Sequence, residues 1–144
     1  VLADLNDPGN AGTLLRSADA FGCLGVVLGS LGADPHQPKV VRAAMGAIFR
    51  MPFTLGEPET VALAAAEAGF EIAGLSAAGE SIELAVWPNR QALVAGHERH
   101  GLGRWKGICA RLLAIPMRGP AESLNAAVAG SIALFQASKR PIVD

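Results

Sequence analysis

Three short stretches carry the side chains that could act together on a ligand. In the first, Asn10 and Arg16 follow the turn-forming run Asn6-Asp-Pro-Gly-Asn10. The second, Gly96-His-Glu-Arg-His-Gly-Leu-Gly103, sets two imidazoles, the carboxylate of Glu98 and the guanidinium of Arg99 between glycines. In the third, Pro116, Gly119 and Pro120 force a loop, because fixed φ angles and an unrestricted residue cannot continue a strand or helix. Ser123 and Asn125 then stand where a helix is predicted to begin. Free backbone N–H groups beside short side chains that both donate and accept make a natural pocket wall.

Each of these residues also has a plainer reading. Ser123 and Asn10 serve as helix N-caps, Arg16 as a surface charge and Glu98 as a solvated loop residue. Familiar signatures are absent. Gly96 and Gly101 have the spacing of a phosphate loop but lack its Lys, no Gly-x-Gly-x-x-Gly follows the first strand, and no Ser nucleophile elbow occurs. His97 and His100 are three apart, not four, and flanking glycines place them in a loop, so no metal is expected.

The elements that must position these loops follow from local pattern. Apolar segments at 1–5, 25–29, 51–55, 70–75, 91–95 and 111–115 read as strands, and 81–87 as a short element near an edge. Helices are predicted over 11–21, with Leu14, Leu15, Ala18 and Phe21 inward, over 39–49, and from Glu57-Pro58-Glu59 to Ala68. A last helix begins at Ser123, and Leu124, Val128, Ser131/Ile132 and Phe135 recur at helical spacing, which predicts an apolar stripe on the core. Strands alternating with helices imply an α/β domain with a largely parallel sheet covered on both faces. Ligands bind off the carboxyl ends of such strands, where 6–10, 96–103 and 116–123 are expected to lie.

A chain of 144 residues, 51% hydrophobic and 17% charged, fits one compact domain. A net charge of −1 gives no global attraction for nucleic acid, so any such contact needs a local basic cluster or a region outside this chain. Cys23 and Cys109, far apart in apolar contexts, read as reduced thiols of a cytoplasmic protein. No apolar run matches a membrane span, and the N-terminus lacks signal-peptide features. The opening without Met, directly on a strand, is expected to mark a fragment with an upstream RNA-binding domain missing, residues 1–144 being the catalytic domain.

Together the three stretches resemble the motifs of the SpoU/TrmH branch of the SPOUT RNA methyltransferases. Residues 6–22, from Asn6-Asp-Pro-Gly-Asn10 to Gly22, resemble the first motif, residues 93–102 the second, and Ile115-Pro-Met-x-Gly with Ser123-Leu-Asn125 the third. Pro38-Lys-Val-Val-Arg-Ala-Ala-Met-Gly46 fits the intervening helix. Phe135-Gln136 departs from the usual Tyr-Glu, and Ala126-Ala127 from bulkier residues, outside any chemical role.

The resemblance implies a SPOUT fold with a deep trefoil knot at the carboxyl end, an obligate homodimer, and methyl transfer from S-adenosyl-L-methionine to a ribose 2′-hydroxyl of RNA. The substrate is expected to be large-subunit ribosomal RNA rather than transfer RNA. Arg16 becomes the key catalytic residue, acting by charge and position since Arg rarely loses its proton, and reaching the partner subunit's cofactor. Asn10 braces it, and Glu98 shapes the catalytic site with Ser123 and Asn125. Gly96, Ile115, Leu124 and Asn125 would hold the cofactor, with Leu75 and Met117 as apolar walls. Arg16, Arg42, Arg50 and Arg99, with Arg104 and Lys106, are candidates for RNA phosphates. The competing classes are a non-catalytic RNA-binding module, a transfer-RNA ribose methyltransferase and a small-molecule methyltransferase.

Overall fold

The computed structural model describes residues 1–97 and 100–139. Helix α1 (Pro8–Ala20) is followed by strand β1 (Val26–Gly29), helix α2 (Pro38–Ala44), strand β2 (Phe53–Gly56) and helix α3 (Pro58–Glu67). Strands β3 (Glu71–Ser81), β4 (Gln91–Val94) and β5 (Arg111–Ala114) lead to helix α4 (Ala126–Ser138). Pairings β1–β2, β3–β4 and β3–β5 are all parallel.

The N-terminal segment joins the two strand groups. Leu2 donates its N–H to Val27 and accepts from Gly29, both at 2.8 Å. On the other side Ala3 N–H reaches Ala95 O at 2.8 Å, and Ala95 N–H reaches Val1 O at 2.9 Å. The sheet therefore runs β2, β1, N-terminal segment, β4, β3, β5. Leu2 packs with α1, α2 and α4 on one face, and Ala3 with Ile72, Trp105 and α3 on the other. Successive residues of an extended chain point to opposite faces, which is how one short segment serves both cores. The expected strand stops early because Asp4 turns left-handed at φ 50°.

Two further expectations are corrected. The helix predicted over 39–49 is broken: Met45 and Gly46, at φ 49° and 85°, end α2 and leave only a 3-10 turn at Ala47–Phe49. Strand β3 does not end at Leu75. It continues to Ser81 across a register shift, with Leu75 and Glu80 both opposite Leu113. At Gly79 a Cβ would lie 2.4 Å from the Leu112 carbonyl carbon, so only glycine lets these backbones approach. Residues after Ser81 form a turn with Leu84 and Val86 exposed.

Helix α4 reverses the predicted burial. Its small residues Ala126, Ala127, Gly130, Ala133 and Ala137 face inward. Val128, Ile132 and Phe135 keep 47%, 37% and 49% of their surface exposed. The cause is close packing on α1, where a Cβ at Gly130 would stand 2.4 Å from Leu14 Cδ2. Ser17 Oγ and Ser131 Oγ lie 2.6 Å apart, and the rings of Phe21 and Phe135 meet at 5.8 Å. Contacts that advance together along both chains mean that α1 and α4 run parallel, with their N-termini at one edge. Phe21, expected inward, is half-buried against Phe135.

Candidate active site at the helix N-termini

The two helix starts are capped by residues other than the simplest candidates. Asp7, not Asn10, caps α1, accepting the Asn10 N–H at 2.8 Å. Pro8 in the first helical position fixes that start. Asn125, not Ser123, caps α4, its Oδ1 accepting from Ala127 N–H at 2.9 Å and Val128 N–H at 3.1 Å. Its Nδ2 then donates to Asn10 Oδ1 at 3.0 Å. Asn10 is thus spared capping and ties the first motif to the third.

A polar cavity of about 250 Å³ opens here, lined by Leu5, Asp7, Asn10, His97 and Asn125. Beside it lies a larger cavity of about 500 Å³ with an apolar wall. Leu75, Gly96, Ile115, Met117 and Leu124 all line the larger cavity, as does Ser123. Asn125 faces the smaller one. The larger volume lies within the range of small-molecule pockets, roughly 300–1,000 Å³. His97 lines both cavities and marks their seam.

The loop at the seam closes on itself. His97 N–H and Gly101 N–H each donate to the other residue's carbonyl at 2.8 Å. A Cβ at Gly96 would fall 2.2 Å from Gly101 O, and Gly101 adopts φ 59°. The rings of His97 and His100 are 4.9 Å apart. Glu98 and Arg99, expected as a catalytic and an RNA-binding residue, lie outside the described residues.

The floor of the larger cavity is the 3-10 turn Gly103–Ile108, anchored by fully buried Trp105. Trp105 Nε1 donates to Asp4 Oδ2 at 2.8 Å, and Arg104 Nε donates to the same oxygen at 2.8 Å. Arg104 also pairs with Glu57, which accepts from Ser30. Burial alone would raise the Asp4 pKa, but hydrogen bonds from Arg104, Trp105 and the Leu31 N–H outweigh it and hold the carboxyl below its ordinary value. Hydrogen bonds from Ser30 and then Arg104 lower the Glu57 carboxyl. Arg104 is engaged in this anchor, whereas Lys106 lines the cavity.

The remaining arginines do not converge on the cavities. Arg16 is exposed on α1 and lines neither. Exposed Arg50 pairs with Asp19, Nη2 to Oδ2 at 2.5 Å, and Arg42 is exposed in the last turn of α2. Sequence reasoning missed His97 as a site residue, since its spacing was weighed only for metal. Asp7, Lys106 and Glu122 carry no local signal that separates them from surface charge. Among the described residues no group of three or more His, Cys, Asp or Glu is arranged to hold a metal ion. Among them, too, no helix is long and apolar enough to cross a membrane.

Known proteins resemble this chain in sequence and fold. The chain is 39% identical over 140 residues to ribosomal RNA small subunit methyltransferase G 2 of Syntrophobacter fumaroxidans, covering 96% of this chain and 27% of that protein. It is 34% identical over 143 residues to the 23S rRNA (uridine(2479)-2′-O)-methyltransferase of Streptomyces viridochromogenes, covering 94% of this chain and 50% of the relative. Its fold superposes on the SpoU methyltransferase AviRb of Streptomyces viridochromogenes, in complex with AdoMet, with a TM-score of 0.88 and 32% identity, over 96% of this chain and 55% of that one. The chain thus spans half or less of the length of these two relatives. The pattern of the SpoU rRNA Methylase family matches residues 1–135, and with the three motifs gathered at one edge of a parallel sheet the chain belongs to that family.

Proposed function

We propose that this domain transfers the methyl group of S-adenosyl-L-methionine to a ribose 2′-hydroxyl of RNA, working as a homodimer. The observation that carries the reading is the pair of adjoining cavities, one apolar-walled and sized for a nucleoside, the other polar and built on Asn10 and Asn125. The apolar side chains of Leu75, Ile115, Met117 and Leu124 suit an adenine ring, and the bare backbone at Gly96 lets a ligand approach closely. When bound, the cofactor supplies an electrophilic methyl carbon. The protein's work is then to orient the hydroxyl, exclude water and receive a proton.

Asn10 and Asn125 orient the ribose from the polar cavity, and Ser123, from the larger cavity, shapes the catalytic site together with Glu98. Arg16 holds the RNA phosphate by the charge-assisted hydrogen bonds a guanidinium makes. Its place outside both cavities of its own chain favours action on the partner subunit's site. Dimerisation is supported by the apolar stripe Val128, Ile132 and Phe135, left exposed on α4 and flanked by Phe21, which caps the end of α1. A second copy covers that stripe. Arg42, Arg50, Arg99 and Lys106 supply peripheral phosphate contacts. The trefoil knot belongs to the same reading, supported by the close approach of the Gly79 and Leu112 backbones and by the convergence of Leu75, Gly96, Gly101, Ile115 and Leu124 on one cavity.

Large-subunit ribosomal RNA is the substrate we favour, in the cytoplasm, with target choice assisted by an upstream RNA-binding region. Mapping 2′-O-methylation in total RNA from cells with and without the full-length protein tests this directly. Loss of one ribosomal position on deletion supports the reading. Loss of a transfer-RNA position replaces the substrate, and an unchanged map with no S-adenosylmethionine binding leaves a non-catalytic module.

A further inference from the structure

We infer that His97 is a catalytic residue of this chain, the group that takes the proton from the ribose hydroxyl as the methyl group arrives. The inference deepens the proposed methyl transfer and rests on it. His97 is the one described residue that lines both cavities, which puts it at the seam where a donor in the larger space and an acceptor in the smaller one can meet. No other described side chain with a titration range near neutrality lines both cavities. The His100 ring lies tilted against that of His97, 4.9 Å between centroids, but His100 lines only the larger cavity. Arg16 lines neither, and a guanidinium is a poor proton acceptor. An imidazole, changing charge at about pH 6.5 in its ordinary state, is the side chain suited to receive a proton near neutrality.

His97 takes the hydroxyl proton on an imidazole nitrogen while the ribose oxygen forms its bond to the methyl carbon. The electron pair of the broken carbon–sulfur bond stays on sulfur, which ends neutral, and the imidazolium passes its proton to solvent. The seam loop is held for this task by the paired His97–Gly101 backbone hydrogen bonds. Among the described residues, the charged or titratable groups that share a cavity lining with His97 are Asp7 before α1, His100 in its own loop, Lys106 on the 3-10 turn and Glu122 before α4.

The test combines a spectroscopic readout with a rate. In the full chain, the His97 imidazole resonance, assigned through its connectivity to the His97 backbone, is titrated with and without saturating S-adenosylmethionine, and with neutral S-adenosylhomocysteine as control. A sulfonium at the seam should lower the His97 titration midpoint by about half a unit or more, and the control should lower it less. With unmodified ribosomal RNA, His97→Gln should lose the acidic limb of the rate profile and drop turnover about 100-fold, with cofactor affinity within about twofold of wild type. A midpoint indifferent to bound S-adenosylmethionine, or a variant that keeps both rate and pH profile, overturns the role of His97 while methyl transfer stands. Absence of binding by either nucleoside at millimolar concentration overturns both. The wild-type titration decides the matter even if His97→Gln fails to fold.

Discussion

One amide joins the two helices that frame the site: Asn125 donates from Nδ2 to Asn10 Oδ1 at 3.0 Å while its own Oδ1 caps α4. The capping bonds fix which end of the amide is oxygen, and so force the donor toward Asn10. Structure and chemistry at this residue can therefore be separated. Asn125→Ser keeps an N-cap acceptor but cannot reach Asn10, so stability should change by only a few tenths of a kcal/mol. Methyl transfer should nevertheless fall about tenfold or more, as expected when an orienting contact is lost. Asn125→Ala should lose activity and also roughly 1 kcal/mol of stability. Thermal unfolding alongside a methyl-transfer assay checks both, and full activity in Asn125→Ser would separate this contact from the reaction.

The anchor beneath the larger cavity predicts a specific response to acid. Asp4 is held below its ordinary pKa, so its contribution is complete above the usual carboxylate range and is lost as pH falls through the lowered folded value. Asp4→Asn removes the charge while tolerating the left-handed backbone at φ 50°. It should cost roughly 1–3 kcal/mol at pH 7, since Arg104 and Trp105 lose a charged acceptor. The gap from wild type should close as the pH falls through the lowered folded pKa of Asp4. Urea unfolding across pH measures it, and a gap independent of pH would mean that the charge on Asp4 is not what anchors the turn.

How much of this was legible in the chain depends on how local each signal is. Pro116, Gly119 and Pro120 announce their loop through their own φ restrictions, and Gly96 and Gly101 announce theirs. The parallel α/β order follows from strand and helix periodicity in the same way. Capping was misread because each helix start offers two or more suitable polar residues, and the choice between them is made by Pro8 at one end and by the Asn10 contact at the other. The buried face of α4 was misread for a different reason. Every face of that helix is apolar, so periodicity selects the large residues, whereas the closeness of Leu14 to Gly130 selects the small ones. His97 acquires its importance only when two cavities meet, which no spacing rule encodes.

The exposed stripe of α4 yields a prediction about assembly. Ile132→Glu and Phe135→Glu place charge on surface that already faces outward, so each should leave the fold intact and convert a dimer to a monomer. Ala133→Leu, by contrast, crowds a fully buried position and should cost roughly 1–3 kcal/mol of folding stability. Light scattering and circular dichroism read the two effects separately. A monomeric wild type, or dimers unaffected by both charges, would rule out this stripe as the interface.

Arg16 allows a sharper test, because its expected site of action is in the other subunit. Arg16→Ala alone should abolish methyl transfer while cofactor affinity persists, since Arg16 lines neither cavity of its own chain. Gly96→Ala should abolish cofactor binding, because the added Cβ would fall 2.2 Å from Gly101 O. Mixed and refolded together, the two inactive variants form heterodimers in which one cavity is intact and is faced by the other subunit's Arg16. Random pairing makes half the dimers mixed, each with one working site, so activity should recover to about a quarter of wild type. A mixture no more active than its parents would assign Arg16 to its own subunit or to no catalytic role.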